Sequence, residues 1–266
     1  THVSGVSESS AEARATRGVP YYLRVLRVVG AIDFKAKYDD AVLGYVWSLV
    51  KPLAYFGVLW LVFAHLLKTA NQTEDFTLFL LIGILLFLFF IDAVSEMLPS
   101  IVNGGSTLRR LAFPPIMIPL SASVAIGITF CVNLVAFAVF AAIQGVEPRI
   151  EWLLVLPLLL ELYLFTVGLG LLLSALYVRF RDIGQVWELG LQLFFFGSAV
   201  IYPVGYLPPW ARELVFLNPF TQVLQDIRAI VLYPDLDKNK ITVAVSFGSS
   251  WARLIPIAIA LCVFAF

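Results

Sequence analysis

From Leu111 to Val146 the chain carries no charged residue. About 20 apolar residues carry an α-helix across the hydrocarbon core of a bilayer, so this run exceeds one crossing. Comparable stretches follow one another along the chain, giving expected spans at 41–67, 76–97, 113–143, 152–178, 186–203 and 251–266. Few charges interrupt them: Lys51 in the first, Asp92 and Glu96 near the end of the second, Glu161 inside the fourth, Glu188 near the start of the fifth and Arg253 near the start of the sixth. Composition agrees. Hydrophobic residues make up 61% of the chain and charged residues 14%, against about 25% charged in a soluble domain. A soluble core could not hide Trp 6, Tyr 10 and Phe 22 together with the aliphatic residues. The expected fold is an all-α integral membrane protein of six transmembrane helices. An N-terminal amphipathic interface helix precedes the first span, and a re-entrant outer helical hairpin precedes the last.

Basic residues in short flanks set orientation. Arg14, Arg17, Arg24, Arg27, Lys35, Lys37 and Lys51 crowd the N-terminal side, Arg109 and Arg110 the second loop, Arg179 and Arg181 the fourth. The first loop has Lys68 alone and the third Arg149 alone. The N-terminus and the second and fourth loops are therefore expected on the cytoplasmic side. Positions 1–20 read as a disordered polar tail with no apolar core for a cleavable signal. The chain starts at Thr1 and its last apolar run, from Leu254 to Phe266, is too short to span. A trimmed start and a cut or continuing sixth helix are the expectations there.

Two segments are neither spans nor plain loops. Positions 21–40 form the amphipathic helix: Arg24, Arg27 and Lys35 lie within about 80° of arc, and Tyr22, Val25, Leu26, Val29 and Ile32 supply the apolar side. Such a helix lies in the membrane interface, as a generic anchor or as a contact surface. Positions 205–234 hold two short helices. Pro208-Pro209 opens the first, and Asn218-Pro219 ends it and starts the second, since proline suits a first helical turn. Both pieces are too short to cross. They read as a hairpin dipping into the membrane, packed on protein, or as a pair lying on its surface.

Chemistry of the usual enzymatic kinds is not expected. The two histidines, His2 and His65, are far apart in sequence, and no His/Cys/carboxylate cluster has metal-ligand spacing. There is no phosphate-binding G-x-x-x-x-G-K-[ST] loop. Cys131 and Cys262 sit in apolar runs and read as small buried hydrophobes. Glu161 falls near mid-membrane and is either a proton relay or polar conduit lining, or a hydrogen-bonding partner for another helix. Trp47, Tyr55, Phe56 and Trp60 stud the first span, and Phe194, Phe195, Tyr202, Tyr206 and Trp210 the fifth and its exit. Interface belts account for many aromatics, but not for Tyr55 or Phe56 at mid-span. Aromatic faces there suit the C–H faces of sugars.

A resemblance draws these features together. Leu43-Gly44-Tyr45-Val46-Trp47 with Lys51-Pro52-Leu53, Leu108-Arg109-Arg110-Leu111-Ala112-Phe113-Pro114, Arg181-Asp182-Ile183, Ile201-Tyr202-Pro203, and Leu217-Asn218-Pro219-Phe220 with Arg228 stand in order along the chain. This pattern resembles the permease subunits of ABC-type polysaccharide exporters, the Wzm/TagG-like group that exports O-antigen, teichoic acid and similar lipid-linked glycans. Ala199 stands where many members carry proline, which puts the break in span five in doubt.

The resemblance implies a homodimer working with two copies of a cytoplasmic ABC ATPase. ATP and magnesium would belong to that partner, and this chain would hold no cofactor and catalyse nothing itself. The substrate would be a lipid-linked polysaccharide moved outward across a bacterial inner membrane, with galactan one candidate. The interface helix, with Phe34, Lys35 and Tyr38, and the loop at 98–112, with Asn103, Gly104, Gly105, Leu108, Arg109 and Arg110, would dock the ATPase. The conduit and gate would be formed by Trp47, Tyr55, Phe56, Trp60, Glu161, Phe194, Phe195, Tyr202, Tyr206 and Trp210. The alternatives are an exporter of a drug or lipid with the same architecture, or an ion-coupled carrier acting alone.

Overall fold

A computed structural model describes residues 24, 26, 28–32, 34–35, 46–66, 76–104, 115–232 and 254–265. Among them every regular element is a helix. Among the described residues, four helical stretches are long and apolar enough to cross a membrane: Trp47–Ala64, Phe76–Asn103, Met117–Ile143 and Ile150–Arg179.

The α2 helix, Phe76–Asn103, is apolar around its whole circumference from Leu78 to Ile91, as a helix surrounded by protein must be. It occupies the centre, with 83% of its apolar window buried, and packs against α1 (Trp47–Trp60), α3 (Met117–Ile143), α4 (Val155–Arg179), α5 (Ile183–Gly197) and α7 (Pro219–Leu232). Lipid is as apolar as leucine, so close packing and polar contacts must hold these helices together. At Gly170 of α4 an added Cβ would come 2.5 Å from Met97 Sδ of α2. The Ser123 and Tyr163 hydroxyls meet at 3.0 Å between α3 and α4. The Trp187 indole N–H of α5 donates to Ser95 Oγ of α2 at 3.0 Å.

Burial is inverted elsewhere. Val135, Val139 and Ile143 lie exposed along α3, and Val186, Leu189, Leu193 and Phe196 along α5. Stripes at helical spacing this apolar have no place against water, and they identify lipid-facing or partner-facing sides of a multi-pass membrane protein. Cys131 and Cys262 are also exposed as free thiols. The expectation of burial fails because an apolar residue in a membrane helix need not face protein.

Helix ends follow local chemistry. The α3 helix closes in a Schellman turn: Gly145 N donates to Ala142 O at 3.1 Å and Val146 N to Ala141 O at 3.0 Å, with Gly145 at φ 80. The first span starts helically at Trp47 and continues beyond α1 as a π-helix, Leu61–Leu66. A 3-10 turn, Ile150–Leu154, leads into α4. The α6 helix, Pro209–Phe216, has proline at its first position. Asn218 caps α7, its Oδ1 accepting from Phe220 N at 3.1 Å. The last element, α8, Leu254–Ala265, packs on α4 and α7.

Two boundaries differ from expectation. The α2 helix runs past 97 to Asn103, carrying Pro99 inside it, so the first residues of the expected 98–112 loop are helical. The fifth helix covers Ile183–Gly197, about 22 Å at 1.5 Å per residue, and stops short of 203. The break at Ala199 is present without a proline there: Ala199 takes φ 50, a left-handed conformation disfavoured for a residue with a Cβ.

Candidate functional site: the aromatic face and the two docking candidates

The docking candidates lie on two segments that rest on one helix. The described positions 24, 26, 28–32 and 34–35, which include Phe34 and Lys35, are helical. Gly30 of this segment lies so close to α3 that an added Cβ would sit 2.7 Å from Val124 Cγ1 and 3.3 Å from Ser121 O. Asn103 ends α2, and Gly104 closes it through a 2.8 Å bond from its N–H to Ser100 O. An added Cβ on Gly104 would sit 2.6 Å from Ile118 Cδ1. Both segments therefore bear on the first two turns of α3. Tyr38, Gly105, Leu108, Arg109 and Arg110 lie outside the described residues.

The conduit candidates divide. Tyr55 of α1 and Phe195 of α5 meet edge to face at 6.3 Å, which joins the two aromatic helices. Trp60 Nε1 donates to Thr77 Oγ1 at 3.1 Å and ties α1 to α2. Phe56 turns the other way, against Phe140 of α3 at 6.1 Å. Phe194 is engaged in the core, stacked on Phe90 at 4.7 Å, and Phe195 also leans on Phe87 at 4.8 Å. Trp47, Tyr206 and Trp210 are exposed. The Tyr202 hydroxyl donates to Phe196 O at 2.6 Å, holding the chain after α5 back against that helix. Exposed large apolar residues remain on both helices: Trp47, Leu53, Tyr55 and Val58 on α1, and Val186, Leu189, Leu193 and Phe196 on α5. Among the described residues little covers these helices: α5 has no buried residue and α1 only Ser48 and Pro52.

Glu161 is half-buried on α4, and its Oε1 has no hydrogen-bond partner among the described residues. On α7, which packs against α4, Gln222 Nε2 donates to Asp226 Oδ2 at 2.9 Å.

Two features escape sequence reading. Arg228 of α7 is buried at 1% exposure. Its guanidinium donates to Phe79 O at 3.1 and 2.9 Å, to Ala199 O at 3.0 Å and to Val200 O at 2.5 Å, and it lies 3.5 Å from the centre of the Phe79 ring. Gly83 makes room, since a side chain there would run into the guanidinium. With Asn218 Nδ2 donating to Ser198 Oγ at 3.0 Å, α7 holds the break after α5 from two sides. The second feature is an ion pair. Lys51 Nζ of α1 reaches both oxygens of Asp92 on α2, at 2.8 and 2.9 Å. Opposite charges in two separate apolar runs were the available signal for it. Arg228, two residues after Asp226 in a short helix, gave no sign in the sequence of the carbonyls it would meet.

Comparison with known proteins bears on the whole arrangement. Residues 24–232 match the family model described as ABC-2 type transporter. An O-antigen export system permease protein from Myxococcus xanthus is 28% identical over 246 residues, covering 90% of this chain and 93% of that protein. Its counterpart from Klebsiella pneumoniae is 25% identical, covering 84% and 86%. A capsule polysaccharide export inner-membrane protein from Neisseria meningitidis is 24% identical, covering 76% and 78%. The family match takes in α1 to α7, including the aromatic pair, the ion pair and the Arg228 contacts, and the chain belongs to the ABC-2 type transporter family of membrane permeases.

Proposed function

We propose that this chain is the transmembrane permease of an ATP-driven exporter that moves a lipid-linked polysaccharide from the cytoplasmic to the outer side of a bacterial plasma membrane. It works as a homodimer with two copies of a separate ABC ATPase, which bind ATP and magnesium. The observation that carries the reading is the pairing of family membership with the open aromatic face of α1 and α5. Among the described residues almost nothing covers those helices, so a second copy and a transported polymer are their natural neighbours. The relatives in polysaccharide export favour a glycan over a drug. Exposed Trp47 and Tyr55 offer flat faces for sugar C–H groups.

In this mechanism the ATPases press on the N-terminal helical segment and on the turn after α2. Both segments bear on α3 beside α1, through Gly30 and Gly104. The α6–α7 hairpin, re-entrant from the outer face, gates the exit. Arg109→Glu with Arg110→Glu tests the reading in the reconstituted complex. The double variant is expected to keep ATP hydrolysis and lose export. Export at the parental rate per ATP would overturn the docking assignment, and a folded chain that never copurifies with an ABC ATPase would overturn the exporter reading.

A further inference from the structure

The α3 and α4 helices each pack closely along α2 but touch one another little. Between them lies a crevice of about 180 Å³. Its walls include Ile82 and Leu86 of α2, Phe137 of α3, Trp152 just before α4, and Ile227 and Val231 of α7. All of these but Trp152 are buried. Ala138 of α3 and Leu156 of α4 also line it and are exposed, so the crevice opens sideways between those two helices. Every lining side chain is apolar or aromatic, and the Trp152 indole nitrogen is itself buried. At 1.5 Å per residue, Ala138 and Leu134 lie about 8 and 14 Å before the end of α3 at Ile143. Half of the hydrocarbon core is about 15 Å thick, so the crevice faces lipid tails and not water.

These walls select the occupant. An apolar void weakens a fold in proportion to its volume unless something fills it. Water does not suit, because it needs polar partners that this space does not present. A closed apolar cavity of roughly 150 Å³ takes a benzene molecule, so this one has room for about seven carbons. A lipid tail supplies them as a thin chain whose remaining carbons continue through the open side into the bilayer. The turn above the crevice carries Glu147, Arg149 and Glu151, all exposed and in no ion pair among the described residues. Two carboxylates and one guanidinium leave that turn with a net negative charge. An anionic headgroup is repelled there, whereas a zwitterionic one brings phosphate for the guanidinium and ammonium for a carboxylate.

We propose that the crevice between α3 and α4 holds one acyl chain of a zwitterionic phospholipid, phosphatidylethanolamine, with its headgroup over the turn at 147–151. The lipid fills the space that α2, α3, α4 and α7 leave between them. The proposal needs only the fold, and stands apart from what the permease carries.

The test uses the full chain in nanodiscs of phosphatidylglycerol. Phosphatidylethanolamine with tails brominated at mid-chain is added in increasing fraction, since bromine quenches a tryptophan it touches. The difference from Trp152→Phe isolates the Trp152 signal. That signal is expected to be quenched and to saturate at a small fraction of the brominated lipid. Brominated phosphatidylglycerol in phosphatidylethanolamine discs should quench it less at the same fraction, a comparison that needs no altered protein. Ala138→Phe places a ring in the mouth from an exposed position, and should remove at least half of the quenching with thermal unfolding unchanged. Quenching that follows the bulk fraction of either lipid alike, and that Ala138→Phe leaves intact, would mean passing contact with surrounding lipid and overturn the site. No quenching at all would mean that protein covers the crevice, and would overturn it equally. Saturation by phosphatidylglycerol in preference would overturn the headgroup assignment.

Discussion

Replacing Arg228 with methionine keeps most of the side-chain volume and removes the guanidinium that joins α7, α2 and the break after α5. The carbonyls of Ala199 and Val200 then lose their donor in a buried setting, as does the extra bond to Phe79 O. A buried carbonyl stripped of its partner costs about 1–3 kcal/mol, so the two break carbonyls alone give about 2–6 kcal/mol. The contact with the Phe79 ring adds up to about 2 kcal/mol when desolvated. Against these stands the relief of no longer burying a charge, several kcal/mol. At the middle of each range, about 5 kcal/mol is lost and about 3 kcal/mol relieved, a net loss of about 2 kcal/mol, between one and two decades in the folding equilibrium at about 1.4 kcal/mol per decade. Arg228→Lys should fall between the two, because an ammonium cannot fork to carbonyls on separate segments. Equilibrium unfolding of the purified permease in mixed micelles of increasing denaturing-detergent fraction measures this directly. A double-mutant cycle with Gly83→Ala sharpens it. The alanine Cβ would crowd the guanidinium and lie 2.7 Å from Val200 O, so it should cost less once Arg228 is gone. If Arg228→Met unfolds within about 0.5 kcal/mol of the parent, the range of an ordinary surface change, the guanidinium does not hold the break and the reasoning fails.

Two further outcomes test the packing. Gly145→Ala should lower stability by about 1–2 kcal/mol through its left-handed φ alone, because nothing stands within 4 Å of the new methyl group; Gly145→Asn should be better tolerated, and thermal unfolding of the two variants ranks them. Gly170→Ala should cost about 1–3 kcal/mol by driving a methyl group into Met97, and Met97→Ala in the same protein should return part of that loss in the same measurement.

The spans were legible because lipid leaves a segment little choice: an apolar run of bilayer length must satisfy its backbone within itself. The runs at 76–97, 113–143 and 152–178 became α2, α3 and α4 with their 3-10 lead for this reason. The punctuation was legible where a residue type dictates backbone shape, as at Pro209 and at Asn218-Pro219. Hydropathy failed at the end of α5. Ile201 and Tyr202 continue the apolar run, so counting apolar residues extends the helix to Pro203. The chain instead leaves the helix after Gly197, and partners at Asn218 and Arg228, far along the sequence, hold it there. Distance in sequence also hid the Lys51–Asp92 pair. Each charge read alone is a blemish in a span, and only the packing of α1 on α2 makes them one neutral unit.

The aromatic face carries the same lesson into function. Phe194, Phe195 and Phe196 are adjacent in sequence, yet successive residues on a helix turn by about 100°, so three together cover about 200° of arc. They cannot share one surface. Phe194 stacks on Phe90 in the core, Phe195 meets Tyr55 of α1, and Phe196 faces outward at 61% exposure. A cluster of aromatics in a sequence therefore names a helix, not a lining. The lining follows from which side the neighbouring helices leave uncovered. Here α1 and α5 touch through Tyr55 and Phe195, and it is this side that the proposed export reading gives to the cargo.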